Sequence, residues 1–261
     1  MNILVTGGTG GLGRMLVRAL CAARHDVRVI SRRPRPESTP VGVEWAEIDL
    51  AAGEGVAEAL EGVDTIIHSA SDPKNADAVD VTGTRHLVEA ANSRKVAHLV
   101  YISIVGIDAI DYGYYQKKLA AERIIEAGEV QFSILRATQF HSLVNSMISA
   151  AARLPLIMPL PTNFKFQSVA EFEVVEQLVG AVQAGPRGRL PDFGGPEVLT
   201  LGEMATTWME IRQIRKWLIG MPLPGTVAAA FRAGRNTAPE GVRARMTWRE
   251  WLTKRGEKKA E

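Results

Sequence analysis

Short runs of aliphatic and β-branched residues alternate with longer amphipathic stretches from the N-terminus as far as Arg136. The runs at 3–6, 27–31, 43–46, 65–68, 99–103 and 132–136 are almost continuously apolar, as expected of strands covered by helices on both faces. Between them, apolar positions recur at helical spacing over 11–23, 54–61, 78–92 and 115–127. Leu12, Leu16, Val17 and Leu20 make one such stripe. Strands alternating with helices predict βαβ units and a parallel sheet.

Beyond Arg136 the rhythm changes. A helix is expected near 139–152, followed by a stretch at 154–161 whose three prolines exclude a regular helix or a central strand. Residues 171–183 look helical and return to cover the sheet. A Gly/Pro-rich loop spans 185–196, an extended piece lies at 198–200, and a further helix starts near Gly202. Residues 221–241 read as irregular and 248–252 as a short terminal helix. The expected fold is α/β: a single Rossmann-type domain over 1–261 with a doubly wound parallel sheet. A small C-terminal substrate lobe is expected, built mainly from about 139–168 and 186–261.

Composition narrows the function classes. A formal net charge of +2 lacks the strongly basic surface of a nucleic-acid binder. Residues 201–261 carry twice as many Lys/Arg as Asp/Glu, read as a solvated face and a frayed tail at Lys254, Arg255, Lys258 and Lys259. A single cysteine, Cys21, excludes an intrachain disulfide and a Cys-based metal cluster. His25, His68, His86, His98 and His141 are scattered without an HExxH pattern, so no metal site is expected; His68 and His141 read as packed polar groups. No signal-peptide pattern precedes Ile3 and no apolar run reaches the length of a membrane span, so the expectation is a cytoplasmic protein without a membrane partner.

The candidate chemistry begins where the first strand ends. Gly7, Gly10 and Gly13 stand at GxxGxxG spacing between that strand and the first helix. A tight turn there needs free backbone angles, a missing side chain where a pyrophosphate approaches, and another where helix and strand pack. The helix N-terminus then faces the phosphates with its N–H groups and positive end. The second strand ends in Ser31-Arg32-Arg33, with Arg35 following and no carboxylate before Glu37. An acid at that point would grip ribose hydroxyls, whereas an Arg fork fits a 2′-phosphate. The expected cofactor is therefore NADP(H), with Ser31 and Arg32 on the phosphate and Arg33 or Arg35 assisting.

Of the four tyrosines, only Tyr114 has a lysine, Lys118, at the fourth following position, hence on the same helical face. A phenol beside a cation is a suitable proton donor to the alkoxide formed when a carbonyl accepts hydride. Ser103, at the carboxyl end of the fifth strand, stands where open α/β sheets place ligands. The neighbouring Tyr115 is an alternative for the ring that faces the nicotinamide. Phe140, Met147, residues 154–161, Phe164, Trp208 and Trp217 are candidates for an apolar substrate wall, or for the lobe's own core.

These segments resemble the short-chain dehydrogenase/reductase superfamily, in its atypical NmrA-like branch of NAD(P)-binding proteins. Thr6-Gly-Gly-Thr-Gly-Gly-Leu-Gly13 is similar to its glycine motif, which brings Thr9 and Leu12 into the cofactor set. The resemblance implies adenine contact at Asp49-Leu50 and a ribose-lining role for Ser69 and Ala70. It implies that Ser103 orients, Tyr114 is the general acid/base, and Lys118 holds the ribose and lowers the phenol's pKa. A homo-oligomer is a family trait that nothing in the sequence fixes. The leading functional expectation is an NADPH-dependent reductase of a small hydrophobic carbonyl or quinone. A non-catalytic NADP(H)-binding redox sensor and an isomerase or epimerase with retained cofactor are the alternatives.

Overall fold

The computed structural model describes residues 1–257; Lys258 and Lys259 lie outside the described residues. The apolar runs form strands β1 (Asn2–Thr6), β2 (Asp26–Ser31), β3 (Glu44–Glu47), β4 (Thr65–His68), β5 (His98–Ile104) and β6 (Phe132–Ala137). The helical stripes form α1 (Gly11–Ala22), α2 (Val56–Ala59), α3 (Gly83–Ser93) and α4 (Gly113–Ala127). The strands lie in the order β3-β2-β1-β4-β5-β6, and the pairs from β3 to β5 are parallel. This is the Rossmann-type α/β architecture expected from the alternation.

Two elements depart from expectation. The helix expected over 54–61 is a single turn, entered through Gly55 at φ 78°. The helix expected over 78–92 opens with a wide π-helical turn, Asp77–Thr82, before α3 begins. That wide turn carries Val79 and Asp80 into the interior, and such turns recur at functional sites.

The chain divides into two compact units. The first comprises Met1–Ser103, Gly113–Leu135 and Val175–Leu190. Its core gathers Leu4, Ile30, Ile66, Leu87, Leu99, Tyr101, Ala121, Ile125 and Ile134, drawn from both the strands and the helices. Register fixes where its loops emerge. Thr6 lies opposite both Ile30 and His68, His68 lies opposite Tyr101, and Ser31 opposite Glu47. Gly7, Arg32, Asp49 and Ser69 therefore follow strands that end at one edge of the sheet, and Ser103 lies near the end of β5. β2 and β4 flank β1, so strand order reverses at β1, where open α/β sheets form their ligand crevice.

The second unit holds Ile104–Tyr112, Arg136–Val174 and the chain from Pro191 onward. It contains α5 (His141–Ala151), β7 (Ile157–Leu160) and β8 (Lys165–Phe166), after which α6 (Glu171–Ala184) and β9 (Gly188–Arg189) lead away into the first unit. It continues with β10 (Phe193–Gly194), β11 (Leu199–Thr200), α7 (Leu201–Ile211), β12 (Trp217–Gly220), α8 (Thr226–Ala233), β13 (Val242–Arg243) and α9 (Trp248–Glu257). Phe164, Phe166, Met204, Trp208 and Trp248 fill its core, and Met147 packs against it. Of the apolar wall candidates, Phe164 and Trp208 are thus this unit's own core, while Trp217 is 79% exposed.

Residues 221–241, expected to be irregular, contain α8. It starts after Gly225 and is closed by Gly234 in the left-handed conformation. The Pro and Gly residues flanking it mask the good helix formers Ala228, Ala229 and Ala230. Lys254 and Arg255, expected in a frayed tail, lie in α9. That helix is held at its start by a reciprocal box: Glu250 accepts from the Thr247 amide and hydroxyl, and the Glu250 amide donates to the Thr247 hydroxyl.

Candidate active site

The glycine turn is tight because backbone meets backbone. Gly7 sits at φ +72°, and the Gly10 amide donates to its carbonyl at 2.9 Å. A Cβ on Gly7 would lie 2.7 Å from the Ala70 nitrogen, and one on Gly13 would lie 2.2 Å from the Gly7 oxygen. Helix α1 therefore packs directly into the turn, and the loop after β4 packs against its other side. Gly10 caps α1 without a side chain, and no acidic residue stands in the first turn. The leading N–H groups are left for an anion.

Thr6 ties the two strand ends together. Its hydroxyl accepts from the Ser69 and Ala70 amides at 3.1 and 3.0 Å and pairs with His68 Nδ1 at 2.7 Å. The other ring nitrogen of His68 meets the Thr84 hydroxyl at 2.9 Å. Burial, aided by the Lys118 charge, lowers the His68 pKa to about 3, so the ring is a neutral fastener.

A cleft of about 210 Å³ opens over this turn. It is lined by Gly7, Thr9, Gly10, Ser31, Arg32, Arg33, Asp49, Leu50, Ser69 and Ala70, so it brings together most of the cofactor residues expected from the sequence. Gly13 and Leu12 are not on its wall: Gly13 is buried behind the turn and Leu12 is half-buried in α1. Ser31 accepts from the Arg33 amide at 3.1 Å, and Asp49 from the Ala51 amide at 3.0 Å. Arg35 turns away to the Pro40 carbonyl.

Sequence reading missed three residues here. Ser71 and Asp72 line the cleft, and Asp80 lies behind it. Arg32 Nη2 donates to Asp72 Oδ2 at 2.8 Å. Hydrogen bonds from Asn75, Arg32 and the Lys74 amide hold the Asp72 carboxyl well below its usual range, so it stays ionised. Arg32 follows β2 and Asp72 follows β4, so the pair reaches across the end of β1. Asp80 is a lone acid in an apolar helical run, Ala78-Val-Asp-Val81, and that was its only signal.

On α4, Tyr114 and Lys118 stand one turn apart. The Tyr114 hydroxyl is 2.7 Å from Ser71 Oγ, and Ser71 donates to Asp80 Oδ1 at 2.6 Å. Lys118 is 3% exposed; its ammonium donates to the Ile102 carbonyl at 3.1 Å and lies 3.7 Å from Asp80. It also sits 4.2 Å from the centre of the Tyr101 ring. Burial lowers its pKa to about 8 against the opposing pull of Asp80 and Glu122. Tyr115 is 5% exposed and belongs to the interior, while Tyr114 reaches the cleft-lining Ser71. Ser103 Oγ is buried without a hydrogen-bond partner among the described residues, and lies next to the Ile102 carbonyl that Lys118 engages. Ser103 is not on the wall of the cleft.

The residues fit a nicotinamide dinucleotide: a cradle that a Cβ at Gly7 or Gly13 would fill, an uncapped helix N-terminus, and an Arg fork on the rim. Among the described residues no group of three or more His, Cys, Asp or Glu is placed to hold a metal, and no helix is long and apolar enough to cross a membrane. His141 is packed rather than facing a ligand: Nδ1 meets Ser168 Oγ at 2.7 Å and Nε2 the Met246 carbonyl at 3.2 Å, and its ring lies near Trp248 and Trp251.

Fold and cleft together define a Rossmann-type dinucleotide-binding protein. The NAD(P)H-binding family model matches residues 7–149, and the chain belongs to that family. The resemblance to short-chain dehydrogenases/reductases holds at the level of the whole fold. Among curated relatives, the 2-alkyl-3-oxoalkanoate reductase of Stenotrophomonas maltophilia is 30% identical over 159 residues, 51% of this chain and 48% of that protein. The chain spans about half or less of the length of the first curated relatives it matches. Among solved structures, MoeE5 in complex with UDP-glucuronic acid and NAD superposes with a TM-score of 0.80 at 20% identity, covering all of both chains. The NADPH-dependent quinone oxidoreductase QOR2 of Escherichia coli, complexed with NADPH, gives 0.76 at 16% identity, covering 97% of this chain and 99% of that one. At these identities the structures establish the fold alone.

Proposed function

We propose that this NAD(P)-binding, oxidoreductase-family protein is an NADPH-dependent reductase that delivers hydride to a small hydrophobic carbonyl or quinone-type substrate. The observation that carries the reading is the bond of the Tyr114 hydroxyl to the cleft-lining Ser71, with the buried Lys118 one turn further along the same helix. Bound NADPH supplies the hydride. Ser103 donates its free hydrogen bond to the substrate oxygen and orients it. Tyr114 holds the proton at its hydroxyl and gives it to the oxygen as charge develops there, a role worth about 10²–10⁴-fold in rate. Lys118, buried and close by, favours the phenolate left behind. Arg32, Ser31 and Arg33 support a preference for the 2′-phosphate of NADP. The names of the reductase relative and of the quinone oxidoreductase neighbour agree with the substrate class.

The test is NADPH oxidation by purified protein against ketones, aldehydes, enones and quinones, with NADH and Tyr114→Phe in parallel. Turnover that prefers NADPH and falls about a hundredfold or more in the variant is the expected result. Tight NADPH binding without turnover on any acceptor replaces the reading with a redox sensor. Cofactor that co-purifies and is never consumed replaces it with an isomerase.

A further inference from the structure

In the second unit, β7 and β12 form a two-stranded parallel ribbon with Trp217 beside Ile157, Leu218 beside Met158 and Ile219 beside Pro159. Alternate residues of a strand point to opposite faces, and paired residues share one. One face, with Met158, Leu160 and Leu218, packs into the unit's core. The opposite face should then be polar. Instead it presents Ile157, Trp217 and Ile219, which are 39%, 79% and 45% exposed. Leu154 and Leu156, just before β7, and Met221, just after β12, extend the apolar surface at 44%, 74% and 38% exposure. A ribbon apolar on both sides with one side bare is a binding surface, not a core.

Charge says what covers it. From residue 130 to residue 170, and again from 211 to 239, the sequence contains no Asp or Glu. These are the segments that build the ribbon and its flanks. Arg153 and Arg215 stand exposed beside it, and Lys216 folds back to donate to the Leu154 and Pro155 carbonyls. An exposed tryptophan among aliphatic side chains, flanked by Arg153, Arg215 and Lys216 with no acid in the segments that form it, matches the interface of an anionic lipid bilayer. There the ring sits at headgroup depth and the basic side chains meet the negative surface.

We infer that this ribbon docks the protein peripherally on an anionic lipid surface. The contact lies wholly within the second unit and is independent of the reaction proposed above. It predicts binding to vesicles of phosphatidylcholine with one third phosphatidylglycerol, measured by co-sedimentation of the full chain, at least about tenfold tighter than to phosphatidylcholine alone. Each basic side chain near the surface contributes on the order of fivefold, lost in high salt.

Trp217→Glu/Ile219→Glu reduces binding at least about tenfold without lowering the melting temperature, since both side chains are solvent-facing. Arg153→Glu/Arg215→Glu abolishes the preference for the anionic vesicles. Brominated acyl chains quench tryptophan fluorescence in the wild type and not in Trp217→Phe. Absence of binding to either vesicle, or binding that both double variants retain, overturns the inference. So does a dimer that disperses in Trp217→Glu/Ile219→Glu while no vesicle is bound, which makes a second copy of the chain the occupant.

Discussion

The closest approach in the cofactor cradle sets up an opposed pair of substitutions. An alanine at position 13 places its Cβ 2.2 Å from the Gly7 oxygen, 2.8 Å from the Gly7 carbonyl carbon and 2.9 Å from Gly8 Cα. Every one of these atoms is backbone, so no rotamer change relieves the clash; the turn itself must open by about an ångström. Overpacking of this kind costs about 1–3 kcal/mol, and an alanine's better helix propensity returns up to about 1 kcal/mol. Taking the middle of that cost, about 2 kcal/mol, the net loss expected for Gly13→Ala is about 1–2 kcal/mol.

Two positions earlier, a Cβ on Gly11 meets nothing within 4 Å, and that residue lies in the same helix. Gly11→Ala should be neutral or stabilising by up to about 1 kcal/mol. Scanning calorimetry of the nucleotide-free protein reads both. At about 2–4 °C per kcal/mol, Gly13→Ala melts roughly 2–8 °C lower and Gly11→Ala at or slightly above the wild type. Calorimetric titration should show Gly13→Ala losing at least about tenfold in dinucleotide affinity, because the displaced Gly7 carbonyl and Gly10 amide frame the phosphate site. If Gly13→Ala melts and binds like the wild type, or if Gly11→Ala falls equally far, the close-packing argument is wrong.

Three further outcomes follow from the rim and from the buried imidazoles. The Arg32–Asp72 pair reaches across the end of β1, so Asp72→Asn should tighten NADP⁺ binding by up to about fivefold, the range of an exposed to half-exposed ion pair. Arg32→Ala should weaken NADP⁺ without weakening NAD⁺, and titration calorimetry that finds both nucleotides weakened alike refutes the assignment. His68 and His141 have folded pKa values lowered to about 3 and about 4, whereas an unfolded histidine titrates near 6.5. The unfolded state therefore binds more protons between these limits. The stability that the neutral rings contribute is present above pH 6.5 and is lost as pH falls toward 4 and then 3. Urea midpoints across pH 7 to 4.5 should fall, with a shallower slope in His68→Gln; an unchanged slope in that variant contradicts the burial argument.

Legibility in the sequence followed the range of the interactions. β1, β2, β4, β5 and β6 were readable to within a residue or so because each is a largely apolar run bounded by polar or turn residues. The glycine turn was readable because its constraint is local: three glycines between a strand and a helix. Asp72 and Ser71 were not, since nothing in their neighbourhood separates them from an ordinary polar loop; only the pairing of β2 and β4 about β1 brings Asp72 to Arg32. Asp80 was hidden by a helical pattern that gave no sign of a π turn. α8 was lost among flanking prolines and glycines that also mark its two ends. In the second unit, apolar residues announced a lobe, but the choice between its core and its surface depended on strand pairing of 157–160 with 217–220, which no local pattern encodes.

The contact between the turn after β1 and the loop after β4 has an evolutionary consequence. What all nicotinamide dinucleotides share, a pyrophosphate, meets main chain that no side-chain substitution can rewrite without spoiling the fold. What distinguishes them, the group on the adenosine ribose, falls on the assignment proposed above to Arg32 and its neighbours, on a rim that bears little structural weight. Coenzyme preference in such a protein is a trait that can drift by single surface replacements, while the ability to hold a coenzyme at all is inherited with the backbone.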